Sequence, residues 1–238
     1  MTSTSKYILH KYKHKSKITI MKKFFLVLVL LIPALWAFSQ LGFNGYRNSA
    51  LDARYQDLYQ NSFNSIYFST GILNLSIPIF QKKDEYGYPL SGISAYLGAL
   101  IEWNNYRFDK DIRLSKDPSG LLVYHDNTFE NKRSKLVICY LDIPLMFGYY
   151  SRNWFIIGGI DLGIRLGSHT KVVYYVNGKR TVNKDRENFW LSSLRPNMIL
   201  GVGYKFIMLT GAYCPISLFE EDKGPQSFPY NVGINCFF

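Results

Sequence analysis

Residues 139–167 read CYLDIPLMFGYYSRNWFIIGGIDLGIRLG, two runs of alternating polarity around a short turn at Ser151-Arg152-Asn153. In the first run Val137, Cys139, Leu141, Ile143, Leu145, Phe147 and Tyr149 share one face, and Asp142, Pro144, Met146 and Gly148 share the other. In the second, Trp154, Ile156, Ile160, Leu162, Ile164 and Leu166 oppose Phe155, Ile157, Gly159, Asp161, Gly163, Arg165 and Gly167. A period of two means strands, because successive side chains point to opposite faces. Both runs exceed an ordinary globular strand and reach the ~9–11 residues that cross a bilayer obliquely. An unbroken apolar face, a small-and-charged face and a tight turn together predict a transmembrane β-hairpin.

The same alternation recurs on either side. Tyr67 to Phe80 reads as a first strand, with Leu73, Leu75, Ile77 and Ile79 on one face and Pro78 placed near its end. Ile93 to Trp103 reads as a second, with Ile93, Ala95, Leu97, Ala99, Ile101 and Trp103 outward and Ser94, Tyr96, Gly98 and Glu102 inward. Asn104-Asn105 has turn chemistry. A third strand would then set Tyr106, Phe108, Ile112 and Leu114 toward lipid and Arg107, Asp109, Asp111 and Arg113 inside. After the opening hairpin, strands at about 197–206, 207–218 and 228–238 bring the count to eight. The pattern predicts an all-β, eight-stranded antiparallel up-and-down transmembrane β-barrel over residues 66–238. Its connections alternate between long polar loops, among them QKKDEYGYP after Phe80 and about His169 to Asn188, and short turns, as in barrels with short turns on one side of the membrane. Residues 41–62 show no clear strand and read as an N-terminal segment (40–65), within which Leu51 to Gln60 suits a short helix or the barrel base.

The N-terminus carries an address. Met21 to Ser39, MKKFFLVLVLLIPALWAFS, has two lysines, an apolar run and a small-x-small site at Ala37-Phe38-Ser39. That is the form of a secretory signal peptide over residues 1–39, an uncleaved anchor being the alternative. Residues 1–20 read as an upstream start or a long basic leader. The chain holds 28 basic and 17 acidic residues, a balance of +11, but seven lysines and no acidic residue precede position 40. The remainder carries +4, so the basic pI makes no case for nucleic acid. With 19 Tyr and 17 Phe, and no long apolar helix after the signal, an exported membrane barrel fits better than a soluble secreted β-sandwich binding module.

Two constellations stand out. Trp103, Tyr106, Tyr149, Trp154, Tyr204, Phe206 and Phe238 fall beside the short turns or at the chain end, as one interfacial girdle would. Asp142, Asp161 and Arg165 point inward from adjacent strands, joined by Glu102, Arg107 and Lys205. Such a set serves as a selectivity ring, a proton site or, the preferred reading, an ion-pair network filling a barrel too narrow for a channel. His125 and His169 are loop residues without a partner carboxylate, so no nucleophilic enzyme is expected. Cys139, Cys214 and Cys236 have no metal or redox spacing. No cofactor motif is present, and neither a cofactor nor a metal is expected.

Tyr140 to Leu145 (YLDIPL), Gly158 to Gly167, Leu200 to Tyr204 and the terminal Phe238 resemble the motifs of an outer-membrane β-barrel family common in Bacteroidota, the PorT-like or porin-family proteins. The resemblance covers the C-terminal half. It implies an integral outer-membrane protein among membrane lipid, with Phe238 as an assembly signal for the barrel-assembly machinery. In some members it implies an accessory role in protein secretion or envelope organisation. A small diffusion channel is the alternative.

Overall fold

The computed structural model describes residues 39–48, 65–108, 112–125 and 130–236. The signal-peptide reading of residues 1–38, the helix reading of Leu51 to Gln60 and the role assigned to Phe238 lie outside the described residues. Among the described residues eleven strands follow one another: β1 (Ser39–Asn48), β2 (Ile66–Lys83), β3 (Pro89–Phe108), β4 (Ile112–Asp117), β5 (Gly120–His125), β6 (Glu130–Ser151), β7 (Trp154–Val176), β8 (Lys179–Asp185), β9 (Leu194–Tyr204), β10 (Ile207–Tyr213) and β11 (Ser227–Cys236). Pairing runs β6-β3-β2-β1-β11-β10-β9-β7, and a further β6–β7 pairing closes those eight strands into a ring. Every pairing around the ring is antiparallel. β8 continues the sheet from the far part of β7, and β4–β5 is a separate hairpin.

The eight-stranded barrel stands, with different members. Its first strand is β1, in the stretch where alternation was unclear: Leu41 and Phe43 face out, but glycines and asparagines hide the pattern. The strand expected over 106–114 is not a ring strand. β3 runs straight through Asn104-Asn105, so Tyr106 and Phe108 keep the inward phase of Glu102 and are buried. Ile112 and Leu114 belong to β4 and are buried too, while Arg107 points outward. The polar stretch after Phe80 is not a long loop. β2 continues to Lys83, and Asp84 Oδ1 accepts hydrogen bonds from the amides of Tyr86 (2.9 Å) and Tyr88 (2.8 Å) to close the turn. Residues 169–188 likewise hold the end of β7 and all of β8 rather than an irregular loop.

With that membership, residues 84–88, 151–153 and 205–206 form the short turns of one end, level with Cys236 and Ser39. The long connections, 109–129, 177–193 and 214–226, emerge at the other end. The lowest β1–β2 pair is Ser39↔Thr70, so from Gly71 to Lys83 β2 pairs only with β3 among the described residues. Pro78 falls on that flank, where one edge of β2 has no described partner, an edge position of the kind proline tolerates.

A ring of eight leaves an interior just wide enough for side chains. The inner face solves this by setting rings opposite glycines in the same register: Phe155↔Gly203, Tyr150↔Gly92 and Tyr67↔Gly42. A Cβ on Gly203 would collide with the Phe155 ring, and one on Gly233 with the Tyr67 hydroxyl. The glycine-rich face of the sequence is therefore packing space. Gly203→Val should destabilise the folded barrel by about 1–3 kcal/mol through overpacking. Gly211→Val, at a position where a Cβ would meet no atom within 4 Å, should stay near wild type. Urea unfolding in detergent checks both.

Candidate functional site: a buried ion cluster beneath a sealed end

The inward phase of five ring strands converges on one guanidinium. Arg195 of β9 is fully enclosed; its Nη2 donates to Glu102 Oε1 of β3 (2.5 Å) and to Asp142 Oδ1 of β6 (3.3 Å). Its guanidinium carbon also lies 4.0 Å from the centre of the Tyr140 ring. Glu102 Oε1 further accepts from Asn104 Nδ2 (2.6 Å) and Asn231 Nδ2 (3.4 Å). Asp161 of β7 sits beside this group, where its Oδ2 accepts from Asn197 Nδ2 (3.2 Å). Lower on the wall, Asn235 Nδ2 donates to Thr210 Oγ1 (3.1 Å), which donates to the Gly233 carbonyl (3.3 Å).

Backbone register explains how β9 reaches β6 across β7. Asp142 pairs with Gly163, and Gly163 pairs with Arg195, so the three lie in one row. A Cβ on Gly163 would come within 2.5 Å of Asp142 Oδ1 and 3.3 Å of Arg195 Nε. The missing side chain is the passage through which the arginine meets its carboxylate. Asp142 Oδ2 and Asp161 Oδ1 are buried without a hydrogen-bond partner among the described residues. A cavity of about 40 Å³, bounded by Glu102, Asp161, Asn197 and Asn231, adjoins Asp161. That is room for a few waters.

Of the six interior residues expected from the sequence, the structure brings Glu102, Asp142 and Asp161 together and leaves the other three out. Arg165 is only partly buried, and its Nη1 donates to the Asn188 carbonyl (3.0 Å) in the connection beyond β8. It follows Ile164, the last residue of β7 to pair with β9, so the wall that would enclose it has ended. Arg107 faces outward, and Lys205 stands exposed in the β9–β10 turn at φ +53°. The cation that does the pairing, Arg195, lies just before the strand expected over about 197–206 and so outside the expected set. Its parity with Asn197 was the available signal. In the girdle, Tyr149, Trp154, Tyr204 and Phe206 cluster at the short-turn end, with Trp154 and Tyr204 ring centres 4.9 Å apart. Trp103 does not join them. Because β3 continues past Asn105, it lies at the upper edge of the apolar band, stacked on Phe68 at 6.0 Å.

Above the cluster the bore is filled. Tyr106, Phe108, Leu136, Ile138 and Tyr140 of the wall pack against Ile112, Leu114 and Leu121 of the β4–β5 hairpin, and against Phe189, Leu191, Leu218 and Phe219 from the long connections. Phe189 and Trp190 hold left-handed backbone (φ +48° and +53°), a strained choice for aromatics that persists only where surroundings impose it. The strain turns Phe189 into the core while Trp190 lies over the hairpin. There Trp190 Nε1 donates to the Asp117 carbonyl (2.9 Å), and Lys116 and Lys223 lie 4.5 and 5.0 Å from its ring. At the hairpin tip the Ser119 hydroxyl and amide hydrogen-bond to Asp117 and hold its carboxyl below the usual range. Below the cluster the bore widens into a chamber of about 250 Å³ lined by Tyr96, Met146, Tyr150, Phe155, Ile157 and Lys205.

A closed antiparallel ring with an apolar exterior, filled interior and one-sided short turns defines an integral outer-membrane β-barrel. The chain belongs to the outer membrane protein beta-barrel domain family, whose model matches residues 38–220. It therefore sits in outer-membrane lipid, with the short turns on the periplasmic side. No curated protein matches the chain. Among solved structures it is similar to outer membrane phospholipase A from Escherichia coli, at 13% identity, covering 84% of this chain and 90% of that one, with a TM-score of 0.19. A calcium-bound dimer of the Salmonella typhi outer membrane phospholipase matches at 12% identity, over 84% and 90%, with a TM-score of 0.20. A triple-mutant porin of Rhodopseudomonas blastica matches at 8%, over 85% and 98%, with the same TM-score. The expectation that the chain is no enzyme is withdrawn, since the solved structures similar to it include a phospholipase. These TM-scores transfer no catalytic residue to it.

Arg195→Met should cost on the order of 3–5 kcal/mol, because it leaves carboxylates buried without their cation. Adding Glu102→Gln should return part of that loss. Arg165→Met, at a partly exposed site, should fall within about 0–1 kcal/mol of wild type. Urea unfolding of the refolded barrel separates the two arginines.

Proposed function

We propose that this protein is a sealed, non-conducting barrel serving as a structural or accessory component of the envelope, acting through its long outer connections and through partners rather than a pore. The observation that carries this reading is the apolar seal of Tyr106, Leu136, Ile138, Phe189 and Leu191 directly above the Arg195 cluster, all fully buried. A channel needs wall positions wetted along its length, and here the outer half of the bore is filled by hydrocarbon. The PorT-like resemblance of Tyr140 to Leu145 and Gly158 to Gly167 favours protein secretion as the process assisted, a fold-level analogy.

In planar bilayers the refolded protein should give no steady ion-selective conductance, whereas deleting residues 112–125 to remove the β4–β5 hairpin should produce one. Sustained conductance from the intact chain that changes with Asp161→Asn would establish the diffusion channel instead. The accessory role is checked by comparing exported proteins with and without the gene; an unchanged secretome and an intact envelope would remove it.

The barrel-assembly machinery is the partner proposed for Phe238, whose place in the sequence continues the alternation of Tyr230, Val232 and Ile234, which face lipid. Removing Phe237 and Phe238 should lower the amount of heat-modifiable barrel recovered from outer membranes. Normal recovery would set that role aside.

A further inference from the structure

The outward face of the outer extension carries a row of cations that the interior network does not use. Register places Arg107 of β3 opposite Lys135 of β6, Lys135 opposite Lys171 of β7, and Lys171 opposite Lys184 of β8. Four neighbouring strands thus present four basic side chains in one line on one face. Like charges directly opposed across a sheet are destabilising, so the arrangement favours a compensating anion. Lys135 Nζ donates to Asn105 Oδ1 (2.6 Å), and none of the four forms an ion pair with a described residue. Arg133 and Arg180 extend the row into a crevice of about 70 Å³ whose other lining residues are Ser134 and Val173, with no acidic side chain among the described residues.

Position selects the anion. On β3 and β6 the row lies four residues beyond Trp103 and Cys139, roughly 13 Å along the strand and on the same outward face. Trp103, Leu166 and Phe68 mark the upper edge of the exposed apolar band. The cations therefore flank the barrel beyond the end of the hydrocarbon, at the level of the head groups, and they face sideways rather than along the barrel axis. The arginines can each grip a phosphate with paired N–H donors, and the lysines add point charges. We propose that this apron binds phosphate groups of the outer-leaflet lipid, fixing the barrel's depth and tying the extended sheet to the surrounding lipid.

The test uses the refolded mature chain in neutral detergent, with bisphosphorylated lipid A as probe and its dephosphorylated form as control. Binding is read by native mass spectrometry and by the shift in melting temperature on adding lipid. Wild type should bind the phosphorylated lipid, more weakly as salt rises, and melt higher with it. Each of Lys171→Gln and Lys184→Gln should weaken binding about fivefold. The combination with Arg107→Gln and Lys135→Gln should abolish the lipid-induced shift. In detergent alone the combined variant should melt no lower than wild type, because opposed charges have been removed; this checks that it folds. Undiminished lipid binding by the folded variant would overturn the proposal. So would equal binding of the dephosphorylated lipid, or full displacement by inorganic phosphate at the concentration where that ion binds alone, which would mark a free-anion site.

Discussion

In hydrocarbon no water can satisfy a backbone N–H or C=O, so each strand of this chain depends on neighbours on both sides. Closing the ring between β6 and β7, and again between β1 and β11, meets that demand with only eight strands over most of the wall, the Gly71–Lys83 flank of β2 pairing with β3 alone among the described residues. The consequence is a bore scarcely wider than a side chain. Bulk placed on the inner wall must be matched by its absence across the ladder, and Phe155 over Gly203 and Tyr67 over Gly42 are that matching. The small residues that make the inner face look weakly specified are what make closure possible.

The same narrowness sets the chemistry of the polar layer. A charge placed in a packed bore cannot keep its hydration, and an unpaired one is costly. Arg195 answers this by drawing on carboxylates from β3 and β6 and on the face of Tyr140, with Asn104, Asn197 and Asn231 supplying neutral donors to the oxygens. Because its partners come from separate strands, the cluster also fixes relative register. A slip of one residue on β9 would turn Arg195 out toward lipid and bring Pro196 inward.

Much of this was legible in the sequence, and the failures have identifiable causes. The faces of β6, β7, β9 and β11 follow from alternation alone, since one side meets lipid and the other a packed bore. β1 escaped because its ten residues carry two glycines and four serine or amide side chains among few apolar positions. Asn104-Asn105 looked like a turn, yet Asn104 donates to Glu102 and Asn105 to the Ile66 carbonyl (3.2 Å). Tertiary partners thus took up the side chains that would otherwise have capped a turn. That single misreading displaced the girdle position of Trp103, the facing of Arg107 and the membership of the third strand. Arg165 and Arg195 both have inward parity, and parity cannot tell which one lies within the height of the closed ring. The inter-strand offset decides it, and no local pattern encodes that offset.

The two ends of the barrel are built to different rules, and energetics says the difference is permanent rather than gated. Swinging the β4–β5 hairpin and the 189–191 segment away from the bore would expose Tyr106, Ile112, Leu136, Ile138, Phe189 and Leu191, all fully buried. At about 1.5–3 kcal/mol for each, that is roughly 10–20 kcal/mol, comparable with the whole stability of a domain. The Trp190 clasp between Lys116 and Lys223 would be lost as well. Thermal fluctuation does not populate such a state, so the hairpin and the 189–191 segment stay packed against the wall. Among the described residues the periplasmic mouth has no comparable seal: Lys205 is exposed at its rim and the chamber behind it is open. The outer end is therefore a rigid platform that presents its connections and its cationic flank to the surroundings.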